Sequence, residues 1–205
     1  GEQGAQHSQA LHAWFAHVPG LRVVMPTTVA DARDLLIASV LCNDPVMYID
    51  DRWLYDQEDE LPPVVELDLA TQRPEISVIG SDVTIVASGH ASLLAREAEK
   101  LLKCENISAE VIDVRVLNPF HAEEIIESVK KTKNLLVVDS GWISGGFSAE
   151  VITKVVEQLP VDCLSNPPVR VALPDAPAPT SRVLEKAYYT STDDVVKAVK
   201  KILNS

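Results

Sequence analysis

Apolar positions recur along this chain with helical and then strand-like spacing, and the order in which they do so divides it into unequal parts. Residues 8–18 place Leu11, Trp14, Phe15 and Val18 at helical spacing, and Pro19-Gly20 stops that pattern before a short apolar run over 21–24 that predicts a strand. Thr28 stands as a cap ahead of a second helix whose apolar face is predicted from Ala32, Leu35, Leu36 and Ser39, with Asp31 near its positive amino end. Asn43-Asp44-Pro45 ends that helix before a strand over 46–49. Residues 56–82 lose periodicity, and their acidic run, Pro62-Pro63, Pro74 and Gly80 predict a crossing linker able to contribute an edge strand.

From Val83 the pattern becomes regular. Strands are predicted over 83–87, 110–114, 135–139 and 169–173, with helices over 92–103, 122–131 and 147–159 between them. The helix faces are Leu94, Ala98, Leu101 and Leu102, then Ala122, Ile125, Ile126 and Val129, then Ser148, Val151, Ile152, Val155 and Leu159. A last helix carries Val195, Val199, Ile202 and Leu203 beyond a proline-rich turn. Alternating strands and helices predict an α/β fold with a parallel sheet. The first 55 residues, two helices and two strands, bury too little surface to stand alone and are expected to need partners.

Composition narrows the function classes. Asp and Glu outnumber Lys and Arg 30 to 18, for a formal charge of -12, which argues against phosphate backbones and so against nucleic acid. No apolar run approaches the roughly 18 residues of a membrane span. Cys42, Cys104 and Cys163 are widely spaced and odd in number, without a CxxC pair, which suits a reducing compartment rather than a disulfide framework or a zinc site. The chain opens on the polar stretch Gly1-Glu2-Gln3-Gly4-Ala5-Gln6-His7 without an initiator Met and reads as cut or processed. Gly89-His90 and the segment 141–146 follow strands and precede helices; neither matches a dinucleotide or Walker loop, so they are read as tight turns. The acidic residues Asp50, Asp51 and 56–60 lack calcium-loop spacing and read as a solvated face.

The words GAQHSQ, AWFAHVPGL and VVMP, followed by GSDVTIVASG, AEVIDVRVLNPF, SVKKTKNLLVVDSGW, VRVALPDAPAP and LEKAYY, run in order through the chain. Together they resemble the carboxy-terminal portion of beta subunits of thiamine-diphosphate-dependent 2-oxoacid dehydrogenases, the pyruvate, branched-chain and acetoin enzymes of the transketolase-like superfamily. The resemblance implies the second half of a pyrimidine-binding domain over 1–55, a linker over 56–82 and a transketolase C-terminal domain over 83–205. It also implies oxidative decarboxylation of a 2-oxoacid with acyl transfer to lipoyl, in the bacterial cytoplasm or the mitochondrial matrix. The expected partners are an alpha subunit, a second beta subunit and a lipoyl acyltransferase whose basic binding module would meet the acidic surface.

Thiamine diphosphate and magnesium belong to the complete enzyme on this reading. The cofactor-activating glutamate and the aromatic platform are expected upstream of residue 1, so the chain by itself is expected to be inactive and to hold no cofactor. His7 matches the family histidine that reaches the reacting end of the cofactor and assists acyl transfer. Placed at a helix start, its ring is expected to feel the positive dipole end and stay neutral. Gln6 and Ser8 are second choices that could orient it, while His12 and His17, further along the same predicted helix, read as packing or solvent contacts. Ser39, Val40, Cys42 and Asp44 align with a helix end whose backbone carbonyls hold potassium in some members, although the family has acidic or amide side chains at the place of Cys42. The rival readings are a transketolase or deoxyxylulose-phosphate synthase, which share cofactor and domain order, and a non-catalytic assembly module.

Overall fold

Two short helices, α1 (Gly4–His7) and α2 (His12–Ala16), open the chain where the apolar spacing predicts one helix over 8–18. The computed structural model describes residues 3–204. Helices of four and five residues have no stability of their own, so tertiary contacts set the place of both. Trp14 and Val18, assigned to the buried face, are 70% and 46% exposed, because the helix turns His12 and not Trp14 inward.

Strand β1 (Arg22–Val24) leads to α3 (Val29–Leu41), whose start is built as the sequence predicts. The Thr28 hydroxyl accepts from the Asp31 N–H at 3.0 Å, and the Asp31 carboxylate accepts from the Thr28 N–H at 3.2 Å, closing a capping box. The predicted apolar face of this helix is corrected. Asp31, Asp34, Leu35 and Ala38 are its buried residues, and Leu36 is 49% exposed. Partners outside the helix explain the rotation: Arg115 grips Asp31 at 3.0 Å, the Val65 N–H donates to Asp34 at 3.4 Å, and Leu35 and Ala38 pack with Leu69 and Val116.

Strand β2 (Val46–Tyr48) pairs in parallel with β1, and a single 3-10 turn over Arg52–Leu54 follows. The proline-rich stretch beyond it yields an antiparallel edge strand, β3 (Glu75–Val78), which pairs with β5 (Ala109–Asp113). Strand β4 (Val83–Ala87) feeds α4 (His90–Lys103), and β5 is followed by a three-residue strand, β6 (Val116–Asn118). The remaining order is α5 (Glu123–Thr132), β7 (Leu135–Trp142), α6 (Phe147–Val156), β8 (Val169–Leu173), α7 (Arg182–Tyr188) and α8 (Thr192–Leu203).

The larger sheet runs β3-β5-β4-β7-β8, parallel except at its β3 edge. Helices cover both faces. One side packs Ile125, Val129, Val151 and Val155 against Val86, Ile112 and Val137, and the other packs Ala95, Ala98, Leu102, Val195 and Val199 against Ile85, Val111 and Leu136. Leu101, expected on the buried face of α4, is 47% exposed; Ala91 and Ala95 take that face instead.

The smaller sheet runs β2-β1-β6, so a strand from beyond residue 83 completes the sheet of the opening segment. Val23 and Met25 join the same core cluster as Val86 and Ile112. The opening segment has a small cluster of its own, Val24, Leu35 and Ala38, but Leu69 and Val116 from later in the chain close it.

Candidate functional site

A cleft of about 520 Å³ lies between the opening segment and the larger sheet. Its wall is assembled from chain that leaves the carboxy ends of strands: Met25 after β1, Ile49 and Asp50 after β2, His90 after β4, Asp139 in the last half of β7 and Leu173 at the end of β8. Open α/β sheets present ligands at these ends because the loops there are long enough to carry chemistry while the strands hold them rigid.

His7 and Ser8 line this cleft, and His7 is exposed. His7 is the last residue of α1 and not the first of a long helix, so the argument from a positive dipole end does not apply to it. Gln6 is exposed. His17 is also exposed and faces a different groove, with Phe120 and Lys154.

His12, read from sequence as a packing or solvent residue on the His7 helix, starts a separate helix and is 1% exposed. Its Nε2 lies 2.8 Å from Asp139 Oδ1. Asp139 is 4% exposed, and its carboxylate also accepts from the N–H of Gly141 at 2.8 Å and of Ser148 at 2.8 Å. Burial alone would push this carboxyl up; the bonds from His12, Gly141 and Ser148 outweigh it and hold the group below the ordinary carboxylate range. Asp139 therefore remains an anion at neutral pH and occupies the amino end of α6. Strand β7 runs to Trp142 and the turn follows it, and the Asp139 anion at the helix start is a physical reason why the glycine-rich 141–146 segment does not cradle a phosphate.

Opposite, the Trp53 ring stacks on His90 at 5.2 Å between centroids and meets Tyr189 edge-on at 5.8 Å. Burial pushes the His90 imidazole below its ordinary value despite Asp51 and Glu97, so it stacks as a neutral ring. Trp53 lies in the stretch whose acidic neighbours mark it as a solvated face, which is why spacing alone does not single it out. Asp139 carries a clearer signal, an acid at the end of the apolar run Leu135-Leu136-Val137-Val138.

The helix end aligned with a potassium site is set apart from the cleft. Ser39 donates its hydroxyl to the Leu35 carbonyl at 2.6 Å, and the Cys42 N–H is spent on the Ala38 carbonyl. The Asp44 carboxylate is held by Arg22 at 2.6 Å, leaving backbone carbonyls of the last turn as the available ligands. Among the described residues there is no group of three or more His, Cys, Asp or Glu that could hold a metal ion. Arg52, the one Arg on the cleft among the described residues, donates from Nη1 to Gln3 Oε1 at 3.3 Å. These residues do not make a set for a diphosphate with its magnesium. No described helix is long and apolar enough to cross a membrane.

Two family models match. Residues 73–195 fit the transketolase C-terminal domain, and residues 1–57 fit the transketolase pyrimidine binding domain. The chain is 39% identical over 203 residues to the mitochondrial pyruvate dehydrogenase E1 component subunit beta of Caenorhabditis elegans, covering 98% of this chain and 58% of that protein. It is 37% identical over 198 residues to the corresponding Rhizobium meliloti subunit, covering 97% of this chain and 43% of that one. The chain thus spans about half the length of these relatives. Among solved structures it resembles a split-gene transketolase described as an inactive beta4 tetramer, with a TM-score of 0.78, 27% identity and coverage of 98% of this chain and 63% of that one.

Proposed function

The chain belongs to the family defined by the transketolase C-terminal domain, with a match to the transketolase pyrimidine binding domain ahead of it, and from that premise we propose that it forms part of the beta subunit of a thiamine-diphosphate-dependent 2-oxoacid dehydrogenase. The reaction would be oxidative decarboxylation of a 2-oxoacid, pyruvate first among the candidates, with transfer of the acyl group to lipoyl. The observation that carries the reading is the similarity to pyruvate dehydrogenase beta subunits along 97–98% of this chain.

In this proposal His7, at the rim of the cleft, delivers the proton taken up by the released sulfur as the lipoyl dithiolane opens. The diphosphate and magnesium would be held by an alpha subunit and the pyrimidine end by beta-subunit residues outside this chain, consistent with the poor fit of the cleft to that group. The remaining proposed partners are a second beta subunit and a lipoyl acyltransferase with a basic docking module, drawn to a chain of net charge -12. Carbonyls at Ser39, Val40 and Cys42, beside Asp44, form the proposed potassium site. Bacterial cytoplasm or mitochondrial matrix would be the compartment, following the relatives.

The test is made on the complete beta subunit assembled with its alpha partner, assayed on pyruvate and branched-chain 2-oxoacids with a lipoyl domain as acceptor. Turnover is expected with one of them, and His7→Ala is expected to slow acyl transfer by about 100-fold. An unchanged lipoyl rate removes His7 from the reaction. The likeness to a split-gene transketolase favours a second reading, two-carbon transfer between sugars. Consumption of a ketose phosphate with no 2-oxoacid turnover would establish it.

A further inference from the structure

The short α1–α2 segment that presents His7 needs an anchor, and the geometry points to one. We propose that His12 is a positioning residue, latched to Asp139 across the two parts of the chain so that His7 is held at the cleft. The proposal rests on the reading of His7 as the acyl-transfer histidine.

Three observations carry it. The His12–Asp139 contact joins residues 127 apart in sequence, one on α2 and the other on the central region of the larger sheet's β7. The imidazole has one hydrogen bond, at Nε2, whereas its Nδ1 is buried without a partner among the described residues. Asp139 is itself immobilised by two backbone N–H groups, so the ring is tied to a fixed point. The fold also makes room for this ring. A Cβ on Gly141 would stand 3.2 Å from His12 Cε1 and 3.2 Å from Asp139 Oδ1, and Phe147 meets the imidazole edge-on at 6.4 Å between centroids. A carboxylate accepting from Nε2–H fixes both tautomer and ring orientation. Five residues upstream, a displacement of the segment by an ångström is enough to spoil a proton transfer that needs hydrogen-bond reach.

The test uses the assembled enzyme with His12→Leu, which fills the space and loses the donor, and His12→Gln, whose amide N–H can still reach Asp139. Decarboxylation with an artificial electron acceptor and acyl transfer to a lipoyl domain are measured separately. His12→Leu is expected to lower acyl transfer by about ten-fold more than decarboxylation, and His12→Gln to recover most of that difference. Added to His7→Ala, the Leu change should cost acyl transfer nothing further, because it acts through His7. Equal losses in both half-reactions, a Gln variant as poor as the Leu variant, or additive losses would overturn the latch. Amide hydrogen exchange over residues 4–11 separates the two ideas. If His7→Ala proves silent, the catalytic reading fails, while faster exchange in His12→Leu still supports the latch and unchanged exchange sinks it.

Discussion

Helices α8 and α3 are both two-faced, yet they are turned opposite ways relative to their own charges. Helix α8 buries Val195, Val199 and Ile202 against the larger sheet and puts its lysines outward, one of them, Lys200, reaching Glu105 at 2.6 Å. Helix α3 buries Asp31 and Asp34 and leaves Val40 76% and Leu41 68% exposed, next to Leu36 and Ile37. The first is the arrangement of a finished layer, in which burial of apolar area drives the packing. The second is a helix that turns two carboxylates inward beside Leu35 and Ala38, which pack with Val24, Leu69 and Val116, and that leaves a further apolar side largely exposed, the kind of patch that marks an interface. One chain therefore contains a complete α/β unit and a segment that has borrowed β6 from it.

Truncation inside the complete unit should show the largest effect. Ile112 is fully buried in the cluster that also holds Val23 and Met25. Ile112→Ala is expected to lower the unfolding free energy by about 2–5 kcal/mol in chemical denaturation. It should also speed hydrogen exchange in β1, because the two parts share that core.

Asp113 comes next, since it is fully buried near the seam with Thr27, Ser92 and Arg96 around it. Burial, reinforced by Asp31, pushes its carboxyl up to about 7 against the bonds from Thr27 and Ser92 and the charge of Arg96. In the unfolded chain the same group ionises near its ordinary value of about 3.9. Between those values the folded chain holds a proton that the unfolded chain has lost, so this group's contribution falls as pH rises through that window and is flat above it. Asp113→Asn should remove that slope and raise stability at pH 8 by on the order of 1–3 kcal/mol, measured by denaturation at several pH values. Asp139 carries the opposite sign: its lowered value means that its contribution is present above about pH 4 and is lost as pH falls through the folded value.

The smallest effect belongs to the exposed face. Val40→Lys should change the stability of this chain by less than about 0.5 kcal/mol. The same substitution should weaken assembly of the complete subunit, measured by analytical ultracentrifugation. A large loss in the isolated chain would mean that α3 is not the unfinished surface it resembles.

How much of this was legible in the sequence follows from the range of each signal. The strands Val83–Ala87 and Val169–Leu173 and the Thr28 cap depend on local spacing, and they stand where the spacing predicts them. β6 leaves no mark in the spacing because three residues carry no period. α7 carries no simple buried stripe, since Val183 and Leu184 are 77% and 58% exposed. The inner sides of α2 and α3 depart from the apolar spacing for a related reason: Asp139, Arg115 and the Val65 N–H, all distant in sequence, hold His12, Asp31 and Asp34 inward. His7 could be singled out only through resemblance, and its link to Asp139 through His12 joins positions that no local pattern connects.

On the function proposed above, this chain supplies one wall of a cofactor site that a longer beta subunit and its alpha partner complete. Titration of thiamine diphosphate with magnesium into the 205-residue chain, followed by calorimetry, tests it most directly. No measurable binding heat is expected; a saturable isotherm with a micromolar dissociation constant would contradict the shared site.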